Sequence, residues 1–158
     1  MTYPWDEEIE QFILFAKEEN VRMLMVGGGA VNFHGYQRHS ADVDFWIEPT
    51  PENFARLVSV FQRMGYDIDD FPETVKQQQQ NISAKFSPAS LSLELITNFS
   101  VNKPFGQAYA EGRDAISDRN PLVTWKVLSI DDLITSKVKA GRPKDLLDIQ
   151  QLKQINKL

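Results

Sequence analysis

The chain has 158 residues, a formal net charge of -5 and no cysteine. Its length suits one domain, which would bury about 70% of the surface its unfolded chain exposes, and its acidity excludes a protein that grips nucleic acid over its whole surface while leaving room for a local basic patch. Without cysteine there are no disulfides, thiolate nucleophiles or Cys-ligated zinc; the acidic start MTYPWDEEIE and the lack of any apolar run near roughly 20 residues predict a soluble, cytoplasmic protein with no membrane partner.

Trp5, Ile9, Phe12, Ile13 and Ala16 recur at helical spacing, so a first helix over about 5–19 lays one stripe on the core. The apolar run Met23 to Val26 then stops at Gly27-Gly28-Gly29, and a second run, Val43 to Ile47, is entered through Asp42 and Asp44. Two strands joined through a short helix follow from this pattern. Side chains alternate along a strand, so Asp42 and Asp44 share a face with Cα atoms roughly 6.5 Å apart, while Val43, Phe45 and Ile47 point the other way. Two like charges that close raise each other's pKa unless a cation sits between them, and hard carboxylate oxygens suit Mg²⁺. The glycines add a turn whose backbone N–H groups can approach a polyphosphate, with a helix start aimed at the same place. Trp46 falls on the aspartate face and either walls the cleft or fills the core. His34 and His39 read as packed or solvated side chains, neither metal ligands nor bases.

Thr50-Pro51 is a helix start, Phe54, Leu57, Val58 and Phe61 its buried stripe, and Gly65 its stop. Residues 67–81, with glutamines from Gln77 to Gln80, carry little apolar periodicity and predict a mobile connection or a poorly packed helix that could border the substrate. Ile82 to Phe86 and Leu91 to Ile96 flank a Ser-Pro-Ala-Ser turn and form a hairpin. In its second strand Leu91, Leu93 and Leu95 face one way and Ser92, Glu94 and Ile96 the other. An acid inside such a strand needs either a face open to water or a partner.

Residues 98–120 are hard to assign beyond a short helix over Phe105 to Ala110, and Val123 to Val127 alternates like an edge strand. Ser129 with Asp132 predicts a capped helix to Ala140; Gly141 stops it and Pro143 starts another. Ile130, Leu133, Ile134 and Val138 are the expected buried stripe of the first helix, with Lys137 at its edge, where it must snorkel or meet an anion. In the second, Asp145 and Asp148 fall on the side of Ile149 and Leu152, so a Lys-Asp pair tying the helices together is the plain reading. Residues 121–158 hold seven basic and four acidic side chains, opposite in balance to the whole chain.

The ordered set VGGGAVNFHGYQRHSADVDFWI resembles the nucleotidyltransferase superfamily with the polymerase-beta-like fold, and within it the branch of AbiEii-type toxins. The likeness rests on Gly27, Gly28, Ala30, His34, Gly35, Arg38, Ser40, Asp42 and Asp44, and on a C-terminal stretch with Lys137, Lys139, Arg142, Lys144, Asp145 and Asp148. It implies an α/β (α+β) fold: a mixed central sheet flanked by helices, one domain over 1–158 with helices at about 129–157 packed on the sheet. The resemblance further implies transfer of a nucleoside monophosphate from an NTP to an acceptor hydroxyl on an RNA end, a protein or a small molecule. Two Mg²⁺ ions would be held by Asp42, Asp44 and Glu94, with glutamate standing where most relatives have aspartate. Gly27, Gly28, Arg38, Ser40, Lys137 and Asp145 would serve the nucleotide, so truncating Lys137 is expected to weaken nucleotide binding more than stability. Two other readings stand beside this one: a nucleotide-binding or regulatory module that has lost turnover, and a toxin-antitoxin component acting through a partner protein.

Overall fold

In a computed structural model, which describes residues 7–158, six strands form one mixed sheet in the order β3-β4-β2-β1-β6-β5. Its centre is β1 (Met23–Val26), paired antiparallel to β2 (Asp42–Ile47) and parallel to β6 (Thr124–Val127). Beyond β2 lie β4 (Ser92–Ile96), parallel to it, and the edge strand β3 (Ile82–Ala84); beyond β6 lies β5 (Arg113–Ile116). Every residue of β1 is buried, as a strand covered on both faces requires, whereas β2 is exposed at Asp42, half-buried at Asp44 and buried from Phe45 to Ile47.

One face is sealed by α1 (Glu7–Glu18) and α3 (Pro51–Arg63). Phe12, Ile13, Phe45, Leu57, Leu93 and Leu95 are fully buried there, each worth about 1.5–3 kcal/mol relative to exposure. Trp5, expected in the first helical stripe, lies outside the described residues. Thr50 caps α3 by accepting from the Asn53 N–H, a bond worth about 1 kcal/mol, and Gly65 follows the helix at positive φ. Asn53 is itself fully buried and ties three elements: its Oδ1 accepts from Arg22 N, and its Nδ2 donates to the carbonyls of Arg22 and Glu48.

Four points stand out, two of them choices between readings the sequence left open and two of them changes. Residues 67–81 take the second of the two forms expected, a poorly packed helix: α4 (Glu73–Lys76) is one turn in a mostly exposed stretch, anchored by buried Phe71 and Val75 and by Thr97 Oγ1, which donates to the Gln80 carbonyl. The difficult stretch holds α5 (Phe105–Ala110), as the pattern predicts, and also β5, whose exposed alternation gave no signal. It is β5 that forms the edge, so β6 is internal. Trp46 is core: it packs on Phe99 and Phe105 at 5.1 and 4.9 Å between ring centroids.

The fourth concerns the last helices, α6 (Ile130–Ala140) and α7 (Pro143–Asn156), which pack against each other, α6 also touching α2 (Gly27–Phe33). Gly141 joins them at φ 62, the left-handed cap its sequence position called for. Yet Val138, Leu146, Leu147 and Ile155 are exposed, and the inward positions are taken by Leu133, Lys137, Asp145, Asp148 and Leu152. The Lys-Asp tie between the helices is present as read, and it joins Leu133 and Leu152 in fixing their rotation, while Val138 of the expected stripe is left outside.

Candidate active site

Antiparallel pairing of β1 with β2 sets Val26 opposite Asp44, so the chain leaves β1 directly beside that aspartate. Gly27 turns there at φ 63, and a Cβ on it would stand 2.3 Å from Asp44 Oδ2. A Cβ on Gly28 would stand 2.7 Å from Ser40 Oγ and 3.7 Å from Arg38 Nη1. The glycines are therefore what lets α2 begin against the acids and against the loop that precedes them. Gly27→Ala is expected to lower the thermal midpoint, by roughly 1–3 kcal/mol of stability, since it combines a left-handed backbone with a clash; a calorimetric midpoint equal to wild type would count against this packing.

Ser40 supports the loop. Its hydroxyl donates to the Asp42 carbonyl at 2.9 Å, and Asn32 Oδ1 accepts from Arg38 N at 2.9 Å. His34 is structural as read: its Nε2 meets the Leu128 carbonyl at 2.7 Å, and burial, partly opposed by that bond, holds its pKa below the usual value.

Across the sheet, parallel pairing of β2 with β4 brings Glu94 into register with Asp44, and antiparallel pairing of β4 with β3 brings Ser83 into register with Glu94. Asp44, Glu94 and Ser83 thus form a row over three strands. Glu94 Oε1 accepts from Ser83 Oγ at 2.6 Å and from Ser92 Oγ at 2.9 Å. These serines were not singled out from sequence, although strand alternation already set Ser92 on the face of Glu94. Burial, then the charges of Asp42 and Glu94, push the Asp44 carboxyl up to about 6, against a smaller pull from Lys137 and Lys144. Among the described residues no three His, Asp or Glu side chains are gathered closely enough to enclose a metal ion. Asp42 and Asp44 are the pair whose chemistry fits one, because a cation between them would relieve the repulsion that raises Asp44.

Opposite the acids stands a buried ionic group. Lys137, 6% exposed, lies 3.3 Å from Asp145 Oδ1 and 3.0 Å from Asp148 Oδ2. Asp148 also meets Arg38, with Nη2 donating to Oδ2 at 3.0 Å. Arg142 clamps Asp145 through Nε at 2.6 Å, Nη2 at 3.2 Å and its own backbone N–H at 3.2 Å. Burial pushes the Asp145 carboxyl up, but the Arg142 and Lys137 bonds outweigh it and hold the group below the usual range. Gly27, Gly28, Arg38, Ser40, Asp42 and Asp44 thus meet at one end of β2; Glu94 borders it on β4, and Lys137 faces it from α6.

A mixed sheet with a glycine turn after one strand and a pair of aspartates opening its neighbour is the arrangement of a nucleotidyltransferase. The chain belongs to the family described as "Nucleotidyltransferase of unknown function (DUF6036)", whose match spans residues 4–158. No curated protein matches it in sequence. Among solved structures, it is similar to the solution structure of the antibiotic-resistance factor ANT(2'')-Ia, at 11% identity and TM-score 0.54 over 92% of this chain and 80% of that one. It is likewise similar to a crystal structure of ANT(2'')-Ia in complex with adenylyl-2''-tobramycin, at 12% identity and TM-score 0.53 over 93% and 86%. At such identities the likeness is one of fold, and it agrees with the mixed sheet and flanking helices read from the sequence. Among the described residues no helix is long and apolar enough to cross a membrane.

Proposed function

We propose that this chain transfers a nucleoside monophosphate from an NTP to an acceptor hydroxyl in the cytoplasm, with the nucleotide bound between the glycine turn and the acids. The observation that carries this reading is Asp44 itself: an aspartate pressed against Gly27 and shifted to about 6 by burial and two neighbouring carboxylates is arranged for a divalent cation rather than for water. Bound Mg²⁺ would supply charge neutralisation at the α-phosphorus and a lowered acceptor pKa. Asp42 and Asp44 would hold it, with Glu94 completing the carboxylate set. Two serine hydroxyls already donate to Glu94, and an acceptor hydroxyl arriving in their place would pass its proton to that carboxylate as its oxygen bonds to the α-phosphorus and the bond to the β-phosphate breaks, releasing pyrophosphate. Gly27 and Gly28 leave room for the phosphates, Ser40 fixes the loop, and Arg38 and Lys137 offset phosphate charge, Lys137 steadied by Asp145. Most of such a reaction is positioning and charge stabilisation, which this rigid sheet end can supply.

The acceptor is an RNA end, a protein or a small molecule; the adenylylated aminoglycoside bound in the ANT(2'')-Ia crystal supports the last as the first class to try. The test is label transfer from α-labelled NTPs with Mg²⁺ onto RNA, protein and polyhydroxylated small molecules. Asp42→Asn should abolish it with the thermal midpoint unchanged to within a few degrees; full turnover in that variant would end the proposal. The second reading, a binding or toxin-antitoxin module without turnover, is supported instead if NTP binds and no label moves.

A further inference from the structure

We propose that Asp148 is the positioning residue of the nucleotide site, joining Arg38 and Lys137 into one cation pair for the terminal phosphates of a triphosphate; this rests on the nucleotidyl-transfer reading and adds to it a residue of α7. Its two oxygens serve cations from two other elements. Oδ1 lies 2.9 Å from Arg38 Nε, and Oδ2 lies 3.0 Å from both Arg38 Nη2 and Lys137 Nζ. Asp145 differs, because Arg142 already clamps both its oxygens.

Around these two enclosed carboxylates stand Lys137 and Arg38, while the largely exposed Arg142 closes Asp145 from the solvent side. Arg38 turns its Nε and Nη2 edge to the two oxygens of Asp148, at 2.9 and 3.0 Å. Its Nη1 comes within 3.7 Å of the space beside Gly28 where any other residue would carry a Cβ. A guanidinium held along one edge by Asp148, with its Nη1 beside an open backbone turn, is what an incoming polyanion would meet. Without Asp148 the two cations would repel and separate; with it they are held as a unit that matches adjacent phosphates but gains little from one.

The experiment measures calorimetric binding of inorganic tripolyphosphate and orthophosphate, which removes any dependence on the base, to the full chain without added metal, beside thermal midpoints and label transfer. Wild type is expected to prefer tripolyphosphate. Asp148→Asn should reduce that preference about tenfold, the equivalent of about 1.4 kcal/mol. Arg38→Gln should do the same, and the double variant should be no worse than the poorer single, since one residue acts through the other. If Asp148→Asn does not fold, Asp148→Glu keeps the charge, displaces both cations and should lose preference likewise. A lowered midpoint with unchanged preference, or additive losses in the double variant, would show a purely structural role. If wild type transfers label while Asp148→Asn keeps full preference, this inference alone falls. If wild type neither binds tripolyphosphate nor transfers label, the reading of the site falls with it.

Discussion

Asparagine in place of Asp44 is expected to yield a protein that melts at a higher temperature than wild type at neutral pH in metal-free buffer, yet transfers no nucleotide. The folded chain holds this carboxyl at about 6 against an ordinary value of 3.8. At low pH the group is protonated in both states and contributes no difference. As pH rises through 3.8 the unfolded chain releases its proton while the folded chain retains it, so stability falls until the folded group ionises at about 6 and stays lower beyond. A shift of that size corresponds to about 2–3 kcal/mol at neutral pH. Asparagine keeps the shape beside Gly27 and removes the charge, so the two stability curves should meet at acid pH and separate between about 4 and about 6. Added Mg²⁺ should raise the wild-type midpoint above this range and leave the variant's unmoved. A separation independent of pH, or retained turnover, would contradict the account; the expected combination is the trade of stability for activity common at catalytic sites.

Lys137→Met should be the costliest change in the site. The ammonium is enclosed, and its removal leaves Asp148 sharing Arg38 alone and Asp145 leaning on Arg142, two acids in the interior with one counter-charge fewer. Breaking a buried pair from one side typically costs about 3–5 kcal/mol. Urea unfolding should register a loss of that order, diminishing as acid protonates the carboxylates; a loss below about 1 kcal/mol would mean that water reaches them. The sequence reading ranked the effects the other way, with nucleotide binding suffering more than stability. Burial between two acids reverses the order, because the lysine is part of the scaffold that holds α6 to α7 as well as a counter-charge for a ligand.

The acid half of the site was legible in the sequence because strand alternation is a local rule. Asp42 and Asp44 had to share a face, Glu94 had to oppose Leu93 and Leu95, and the glycines had to end a strand. The basic half was only partly legible. Ile130, Leu133, Ile134 and Val138 read as a buried stripe, yet Val138 is exposed; spacing set Lys137 at that stripe's edge and turned Asp145 and Asp148 toward Leu152 without saying that all three would be enclosed. Helix rotation there is decided in part by pairing with Arg38, which is 110 residues from Asp148 along the chain. The edge strand β5 escaped for a related reason: Arg113-Asp114-Ala115-Ile116 buries only Ala115, so it is a strand by virtue of its neighbour β6 rather than of its own pattern.

The same separation has a consequence for the order in which the protein assembles. Asn156 reaches back 122 residues to the His34 carbonyl, and Leu128 meets His34 across 94, so α2 and the loop bearing Arg38 are anchored by the most distant part of the chain. Contacts of such range close late in folding, after nearer pairings such as β3 with β4. An intermediate with its sheet formed but α7 undocked would hold Arg38 and Lys137 without the carboxylates of Asp145 and Asp148 that draw them together. Local opening of α7 in the native protein would recreate that state, so its amides should exchange with solvent ahead of those of β1 and β2, and nucleotide should slow them first.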